Sequence, residues 1–135
     1  MSKAIPTIQK FMTTAPHTIG SDQTLNKAHE LLRKFGIRHL PVLRAGKLAG
    51  ILTQRDLALV ERLRDVNPES VLVEEAMATE IYSVSPQAPL DEVAAEMAEK
   101  KYGCAIVVDN QHVVGIVTTV DICHALVELL HTRMK

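Results

Sequence analysis

The sequence predicts an α/β (α+β) fold built from two tandem β-α-β-β-α repeats. Three observations point to it: a segment that recurs after 65 residues, apolar positions that keep the same spacing in both copies, and turn residues at matching places. The chain has 135 residues, which fits one ordinary domain better than a large multidomain enzyme. A repeat of about 60 residues is marginally stable alone. We therefore expect the two copies to pack together with pseudo-twofold symmetry.

The repeat is clearest in a motif of seven residues. Gly-Ile-x-Thr-x-x-Asp stands at 50–56 and again at 115–121. The same offset, without a gap, pairs Met12 with Met77. Because the apolar pattern is also kept between these points, we interpret the chain as a duplication.

Each copy opens with a short segment that ends in methionine, at 8–12 and 73–77, and continues into extended chain at 17–19 and 82–84. An amphipathic helix is predicted next, because apolar residues then recur at helical spacing. These residues are Leu25, Ala28, Leu32 and Phe35 in the first copy and Leu90, Val93, Ala94 and Met97 in the second.

Two strands and a closing helix complete each copy. The strands are predicted at 40–43 and 48–52 in the first copy and at 105–108 and 113–117 in the second, with turn residues between them. The closing helices begin near Thr53 and Thr118, and Asn67-Pro68 breaks the first of them. The predicted boundaries are repeat 1 at 5–64, a linker at 65–72 and repeat 2 at 73–131.

Composition narrows the classes of function. The balance of 15 Lys+Arg and 16 Asp+Glu gives a net charge of −1, so we do not expect nucleic acid as a partner. Aromatic residues make up 3% of the chain and tryptophan is absent, which predicts an aliphatic core and argues against a base-stacking platform. Two cysteines and the lack of a long apolar run predict a cytoplasmic protein with reduced thiols and no membrane segment.

The Thr-x-x-Asp part of the motif allows two explanations. It resembles a capping box, in which the Thr and the Asp satisfy the backbone amides of a helix start. The same helix start could instead bind a ligand, since its unpaired N–H groups favour phosphate and the Asp could accept both hydroxyls of a ribose. The glycines at 50 and 115 would then allow the ligand to approach closely. The spacing alone leaves both explanations open.

The complete pattern resembles a known family. A Met-Thr near the start, Leu-Pro-Val at 40–42 and Gly-Ile-x-Thr-x-x-Asp-Leu at 50–57, in tandem, are similar to a CBS-domain pair, the module (also called a Bateman module) named after cystathionine β-synthase. The resemblance covers about residues 5 to 131. The second copy departs from the pattern, with Ala105-Ile106-Val107 in place of Leu-Pro-Val and Ala78 in place of Thr13.

The resemblance implies a stand-alone regulatory module, not an enzyme, that binds an adenine nucleotide in clefts between the repeats. The implied ligands are AMP, ADP or ATP, with or without Mg²⁺, ahead of S-adenosylmethionine or NAD; no obligatory cofactor is implied. By position, one cleft takes Met12, His17, Ile37, Arg38, His39, Pro41, Ile116, Thr118 and Asp121. The other takes Ile51, Thr53, Asp56, Met77, Tyr82, Tyr102, Gly103 and Ile106.

The two implied clefts differ in charge. Arg38 and His39 can offer a fixed charge and a titratable donor to a phosphate, whereas their counterparts Gly103 and Cys104 cannot. We therefore predict that the Thr118/Asp121 cleft is the stronger site for a phosphorylated nucleotide. The Thr53/Asp56 cleft is predicted to be empty, weaker, or suited to an uncharged group such as adenosine.

Other functions were considered from the residues. The chain has no nucleophile-elbow motif, no phosphate-loop motif and no metal-binding spacing among its six histidines, so neither a catalytic nor a metal site is predicted. A scaffold protein that binds no nucleotide and a redox-linked stress module using Cys104 remain alternatives. The family commonly forms dimers, so a homodimer is predicted. The apolar faces of the closing helices either form its interface or cover the sheets of their own repeats. Their residues are Leu57, Leu59, Val60, Leu63, Ile122, Leu126, Val127 and Leu130.

Overall fold

A computed structural model describes residues 4–64 and 67–133. Its helices and strands follow the predicted order in both copies. The strands are β1 (Thr13–Thr14), β2 (Ile19–Gly20), β3 (His39–Arg44), β4 (Lys47–Thr53), β5 (Ser83–Val84), β6 (Cys104–Asp109) and β7 (His112–Thr118). The helices are α1 (Leu25–Phe35), α2 (Gln54–Arg64), α3 (Leu90–Lys100) and α4 (Thr119–Arg133), and short 3₁₀ helices lie at Ile8–Lys10 and Val73–Glu75.

The chain divides into two compact units whose boundaries differ from those of the sequence repeats. Unit I is residues 16–81, and unit II combines residues 4–15 with 82–133. The methionine-ending segment of each copy therefore belongs to the unit formed mainly by the other copy. Of the predicted linker at 65–72, residues 67–72 are part of unit I, and Asp65 and Val66 lie outside the described residues.

The sheet of unit I has the order β2-β3-β4. β2 pairs parallel with β3, and β3 forms an antiparallel hairpin with β4. On the free edge of β4, Ile51 and Ala78 exchange two backbone hydrogen bonds of 2.9 Å each. The segment after the 3₁₀ helix at 73–75 thus closes the edge of this sheet.

The sheet of unit II repeats this arrangement. Its order is β1-β7-β6-β5, in which β1 takes the edge position that Ala78 takes in unit I. Thr13 is in register with Ile116, as Ala78 is with Ile51. Both hairpins also carry a register shift at the same place, after Val42 in unit I and after Val107 in unit II. Backbone geometry therefore preserves the duplication more closely than side-chain identity does.

Each unit has an aliphatic core of its own, as the low aromatic content predicts. In unit I, Leu25 and Leu32 of α1 and Leu57 of α2 pack with Leu40 and Leu52 of the sheet. Leu57 has no exposed surface, so it packs within its own unit and does not belong to a dimer interface. In unit II the core is formed by Ile8, Leu90, Val93, Met97, Ala105, Val107, Val117 and Ala125.

Helix α4 leaves a large apolar surface uncovered. Val120, Leu126, Val127 and Leu130 are each about half exposed or more. Leu59 of α2 is also exposed, whereas Val60 and Ile122 of the closing helices pack against the cores of their own units. The side chain of Leu63 lies outside the described residues. Among the described helices, none is both long enough and apolar enough to cross a membrane.

Candidate functional site

The second Thr-x-x-Asp element forms a closed capping box at the start of α4. The backbone N–H of Thr118 donates to Oδ2 of Asp121 at 2.9 Å, and the backbone N–H of Asp121 donates to the hydroxyl of Thr118 at 3.3 Å. The Thr118 hydroxyl lies 3.2 Å from the same carboxylate oxygen. The capping explanation is therefore correct for this copy. It leaves Oδ1 of Asp121 outside the box.

The first Thr-x-x-Asp element forms only half of a capping box. The backbone N–H of Asp56 donates to the Thr53 hydroxyl at 3.0 Å. No donor to the Asp56 carboxylate is found in the described part of the chain. The Asp56 side chain is half-buried, as is that of Asp121. The two carboxylates are thus similarly exposed, but only that of Asp121 accepts hydrogen bonds from the described residues.

Thr13 is a neighbour of Asp121 that the sequence analysis did not include in the site. Its hydroxyl lies 3.4 Å from each oxygen of the Asp121 carboxylate. β1 holds Thr13 at this place through its pairing with β7. The sequence contains one indication of this role. The first copy has Thr13 where the second copy has Ala78, so the Thr13 hydroxyl has no counterpart in the other unit.

The glycines of the two motifs are required by methionine packing inside each unit. A Cβ built at Gly50 would lie 2.5 Å from the sulfur of Met77 and 2.8 Å from the Ala78 carbonyl oxygen. At Gly115 it would collide with the Met12 side chain, including Cγ at 3.0 Å. The expectation that these glycines make room for a ligand is therefore replaced by a structural reason. Met12 and Met77 are half-buried and cover the strands at these points.

Arg38 and His39 lie at the start of β3, beside the helix start that carries Asp56. His39 is in register with Thr53, and the backbone carbonyl of Arg38 accepts the N–H of Gln54 at 3.0 Å. Burial lowers the pKa of His39, the Arg38 charge lowers it further, and the Asp56 carboxylate partly opposes both. His39 is consequently neutral at pH 7, with the exposed Arg38 as the fixed cation beside it.

The equivalent position in unit II is a buried thiol. Cys104 is in register with Thr118, and burial raises its pKa to about 12. A thiol with so high a pKa is almost entirely protonated at neutral pH and is therefore a poor nucleophile. This disfavours the redox module that uses Cys104. The other cysteine, Cys123, is exposed on α4.

Two of the four aromatic side chains form a stacked pair in unit II. The rings of Tyr82 and Tyr102 have centroids 5.2 Å apart and planes 23° apart. Burial raises the pKa of Tyr82, and the nearby carboxylates of Glu96 and Glu92 add to the effect. In unit I, His17 stacks instead on Phe35, with ring centroids 3.6 Å apart. A small aromatic surface therefore exists, although the composition argued against one.

Some of the predicted site residues lie in unit I and the others lie in unit II. Unit II contains Met12, Tyr82, Tyr102, Gly103, Ile106, Ile116, Thr118 and Asp121. Unit I contains His17, Ile37, Arg38, His39, Pro41, Ile51, Thr53, Asp56 and Met77. Within unit II the structure brings Met12, Ile116, Thr118 and Asp121 to the β7–α4 junction, and within unit I it brings His39, Thr53 and Asp56 together.

Four of these residues present little or no side-chain surface. Ile106 is fully buried and Pro41 is among the largest side chains with less than 2% exposure. Ile51 and Ile116 are 9% and 7% exposed. In this structure these four residues contribute to packing.

Comparison with known proteins shows the family. The CBS domain family model matches the chain twice, at residues 8–61 and 73–128. The CBS domain-containing protein YhcV of Bacillus subtilis is 31% identical over 115 residues, with 85% of this chain and 81% of that protein covered. The chain belongs to the CBS domain family and carries two copies of the domain.

Solved structures of CBS proteins have the same fold. An acetoin utilization protein (AcuB) of Vibrio cholerae is 36% identical, with a TM-score of 0.87 and 97% of each chain covered. The CBS domain pair of protein MJ0100, solved with 5′-methylthioadenosine and S-adenosylmethionine, is 30% identical, with a TM-score of 0.83 and coverage of 93% and 98%. Two other curated relatives are much longer, and the chain spans 23% and 25% of them.

Proposed function

We propose that this protein is a regulatory module that binds an adenine nucleotide or adenosyl ligand and does not turn it over. One observation carries the proposal: each unit places a half-buried aspartate at the start of a helix, in the motif that the CBS family repeats. The MJ0100 pair, which is 30% identical to this chain, holds two adenosyl compounds. Their common ribosyl-adenine part defines the proposed ligand class.

The chemistry of the motif suits a ribose. A vicinal diol presents two O–H donors, and an ionised carboxylate can accept both, one on each oxygen. The backbone N–H groups at the start of α2 and α4 add the positive end of a helix dipole, which favours a negative group nearby. Asp56 and Asp121 would therefore hold sugar hydroxyls, with Thr53 and Thr118 beside them.

The phosphate preference rests on charge. Following the resemblance, we assign Arg38 and His39 to the ligand held by Asp121, and Gly103 to the ligand held by Asp56. Because Arg38 is exposed and always charged, the first ligand would be AMP, ADP or ATP, the last with Mg²⁺. Binding of a phosphate would also favour protonation of the nearly neutral His39. The second ligand would be uncharged or weakly charged.

An adenosyl compound suits the Asp56 ligand for a further reason. Tyr82 and Tyr102 form a neutral aromatic pair at the positions assigned to it, and aromatic faces attract both bases and sulfonium cations. S-adenosylmethionine and 5′-methylthioadenosine are therefore the first candidates here, ahead of NAD. This changes the order expected from the sequence, in which the phosphorylated nucleotides came first for the whole protein.

Regulation would follow from differential binding. A ligand shifts a conformational equilibrium only by the difference between its affinities for the two states. In the proposed function, occupancy of the ribose-binding aspartates is the signal, and a protein partner or a second copy of the chain receives it. The cytoplasm, where thiols stay reduced, is the proposed compartment.

A homodimer is the proposed assembly. The family resemblance implies one, and the exposed apolar residues of α4 support it because a surface of Val120, Leu126, Val127 and Leu130 is better covered than left in water. The expected occupant is a second copy of the chain. The molar mass in solution, measured by light scattering, distinguishes a dimer from a monomer.

A thermal-shift screen tests the proposed ligand class against the scaffold alternative. We expect AMP or ATP, S-adenosylmethionine or 5′-methylthioadenosine to raise the melting temperature, because a ligand that binds only the folded state stabilises it. Guanosine monophosphate and ribose-free adenine are the matched controls. If no adenosyl compound shifts the transition at millimolar concentration, the scaffold alternative replaces the proposed function.

A further inference from the structure

We propose that Thr13 is a positioning residue that holds the Asp121 carboxylate in a single orientation for the ligand. The inference rests on the proposed function, since it concerns the aspartate that would bind the ribose. It adds a residue outside the Thr-x-x-Asp motif, contributed by a different part of the chain. The observation behind it is the hydroxyl of Thr13, 3.4 Å from both Oδ1 and Oδ2 of Asp121.

The geometry places Thr13 opposite the capping box. The backbone N–H and the hydroxyl of Thr118 both approach Oδ2, at 2.9 and 3.2 Å. Thr13 is the residue that also approaches Oδ1. A distance of 3.4 Å is long for an O–H···O hydrogen bond, so one such contact is weak. Contact with both oxygens nevertheless favours the one χ1 rotamer that brings the Asp121 carboxylate to Thr13, because another rotamer would move both oxygens away.

The backbone around Thr13 is fixed, which allows a weak side-chain contact to select an orientation. Thr13 is in register with Ile116 and Thr14 with Gly115, and the N–H of Ala15 donates to the Val114 carbonyl at 3.2 Å. Just before Thr13, the Met12 side chain packs against Gly115. The hydroxyl therefore approaches Asp121 from a rigid strand.

Unit I supplies the natural control. Ala78 occupies the place of Thr13, paired with Ile51 by two hydrogen bonds of 2.9 Å, and has no hydroxyl. The Asp56 carboxylate there has no donor among the described residues. Asp121 is thus held both by the capping box and by Thr13, whereas the Asp56 carboxylate has neither contact among the described residues. A side chain ordered before binding loses less conformational entropy when the ligand arrives, so Thr13 favours the Asp121 ligand.

Three variants separate positioning from bulk. Thr13→Val removes the hydroxyl and keeps the shape, Thr13→Ser keeps the hydroxyl, and Thr14→Val removes a neighbouring hydroxyl of the same exposed strand. By calorimetry with AMP we expect Thr13→Val to weaken the Asp121-dependent binding about twofold to threefold, the lower end of the range of one hydrogen bond, because the contact is long. Thr13→Ser and Thr14→Val should bind as the unchanged protein does. In an Asp121→Ala background, Thr13→Val should have no further effect.

A ligand-free measurement keeps this proposal distinct from the proposed function. Three-bond NMR couplings report whether the Asp121 side chain occupies one χ1 rotamer or several. We expect one rotamer in the unchanged protein and in Thr13→Ser, and averaging in Thr13→Val; Ala78→Thr should reduce averaging at Asp56. Unchanged Asp121 couplings in Thr13→Val overturn the positioning role, whether or not AMP binds. Failure of AMP to bind the unchanged protein, with the couplings as expected, overturns only the ligand assignment.

Discussion

Units I and II have the same backbone but present different chemistry at equivalent positions. Sheet order, the register shift and the edge pairing of Ala78 and Thr13 coincide. At the strand position next to the Thr-x-x-Asp motif, however, unit I has the titratable His39 and unit II the buried thiol of Cys104. Packing constrains the repeated positions in both copies, whereas the side chains around each aspartate have diverged.

The largest expected effect is on the free energy of unfolding, when each of the two motif glycines is replaced by alanine. At Gly50 an added methyl group meets the rigid Ala78 carbonyl oxygen at 2.8 Å as well as the Met77 sulfur. At Gly115 the three atoms nearest to it all belong to the flexible side chain of Met12. We expect Gly50→Ala to lower the free energy of unfolding by about 2–3 kcal/mol and Gly115→Ala by about 1 kcal/mol. Urea denaturation of the two variants measures the difference.

A double variant checks the cause at Gly115. Met12→Ala removes the side chain that an added methyl group would touch, so Gly115→Ala should cost less in that background than alone. Equal costs of Gly50→Ala and Gly115→Ala would contradict the claim that a backbone contact at the edge of unit I distinguishes the two strands.

A smaller effect is expected from pH, with opposite directions in the two units. The pKa of His39 is lowered from its ordinary value of 6.5, so the unfolded chain binds the proton more tightly. Its contribution to stability is present above pH 6.5 and is lost as the pH falls through the folded pKa. The pKa of Cys104 is raised from 9.0 to about 12, so its contribution is present below pH 9 and is lost between pH 9 and about 12.

Matched variants isolate these two groups from the other titrating residues. His39→Gln should reduce the loss of unfolding free energy at acid pH. Cys104→Ala should reduce the loss at alkaline pH. Relative to Cys104→Ala, the unchanged protein should lose about 1.4 kcal/mol by pH 10, one pH unit above the ordinary pKa of the thiol. Urea unfolding from pH 5 to 10.5 measures both. An alkaline loss that persists in Cys104→Ala would assign it to another group.

Much of the fold could be predicted from local pattern. All four long strands lie within a residue of their predicted bounds, and the helices at 25–35 and 90–100 contain every apolar residue that predicted them, because apolar spacing and turn residues specify these elements directly. The exchange of the methionine-ending segments could not be predicted. Residues 8–12 open the first copy in sequence, yet their partners lie in the second copy, at 88 and 115, and pairing between distant segments leaves no local pattern.

The positions of the two motif aspartates at helix starts could be predicted, but the hydrogen bonds of their side chains could not. The sequence identifies Asp56 and Asp121 as equivalents, and their positions at helix starts are as predicted. It does not show that one capping box closes and the other stays half open, because this depends on side-chain rotamers. The burial of Cys104 and the exposure of Cys123 likewise depend on which face of each element is covered.

Calorimetry with AMP on the unchanged protein, Asp121→Ala and Asp56→Ala tests most directly whether the two repeats have diverged in ligand chemistry. We expect Asp121→Ala to weaken AMP binding at least tenfold and Asp56→Ala to change it less than about threefold, because a charged hydrogen bond to the sugar contributes about 1.5–3 kcal/mol. Circular dichroism at the assay temperature confirms that both variants are folded. Equal losses from the two substitutions would contradict this divergence.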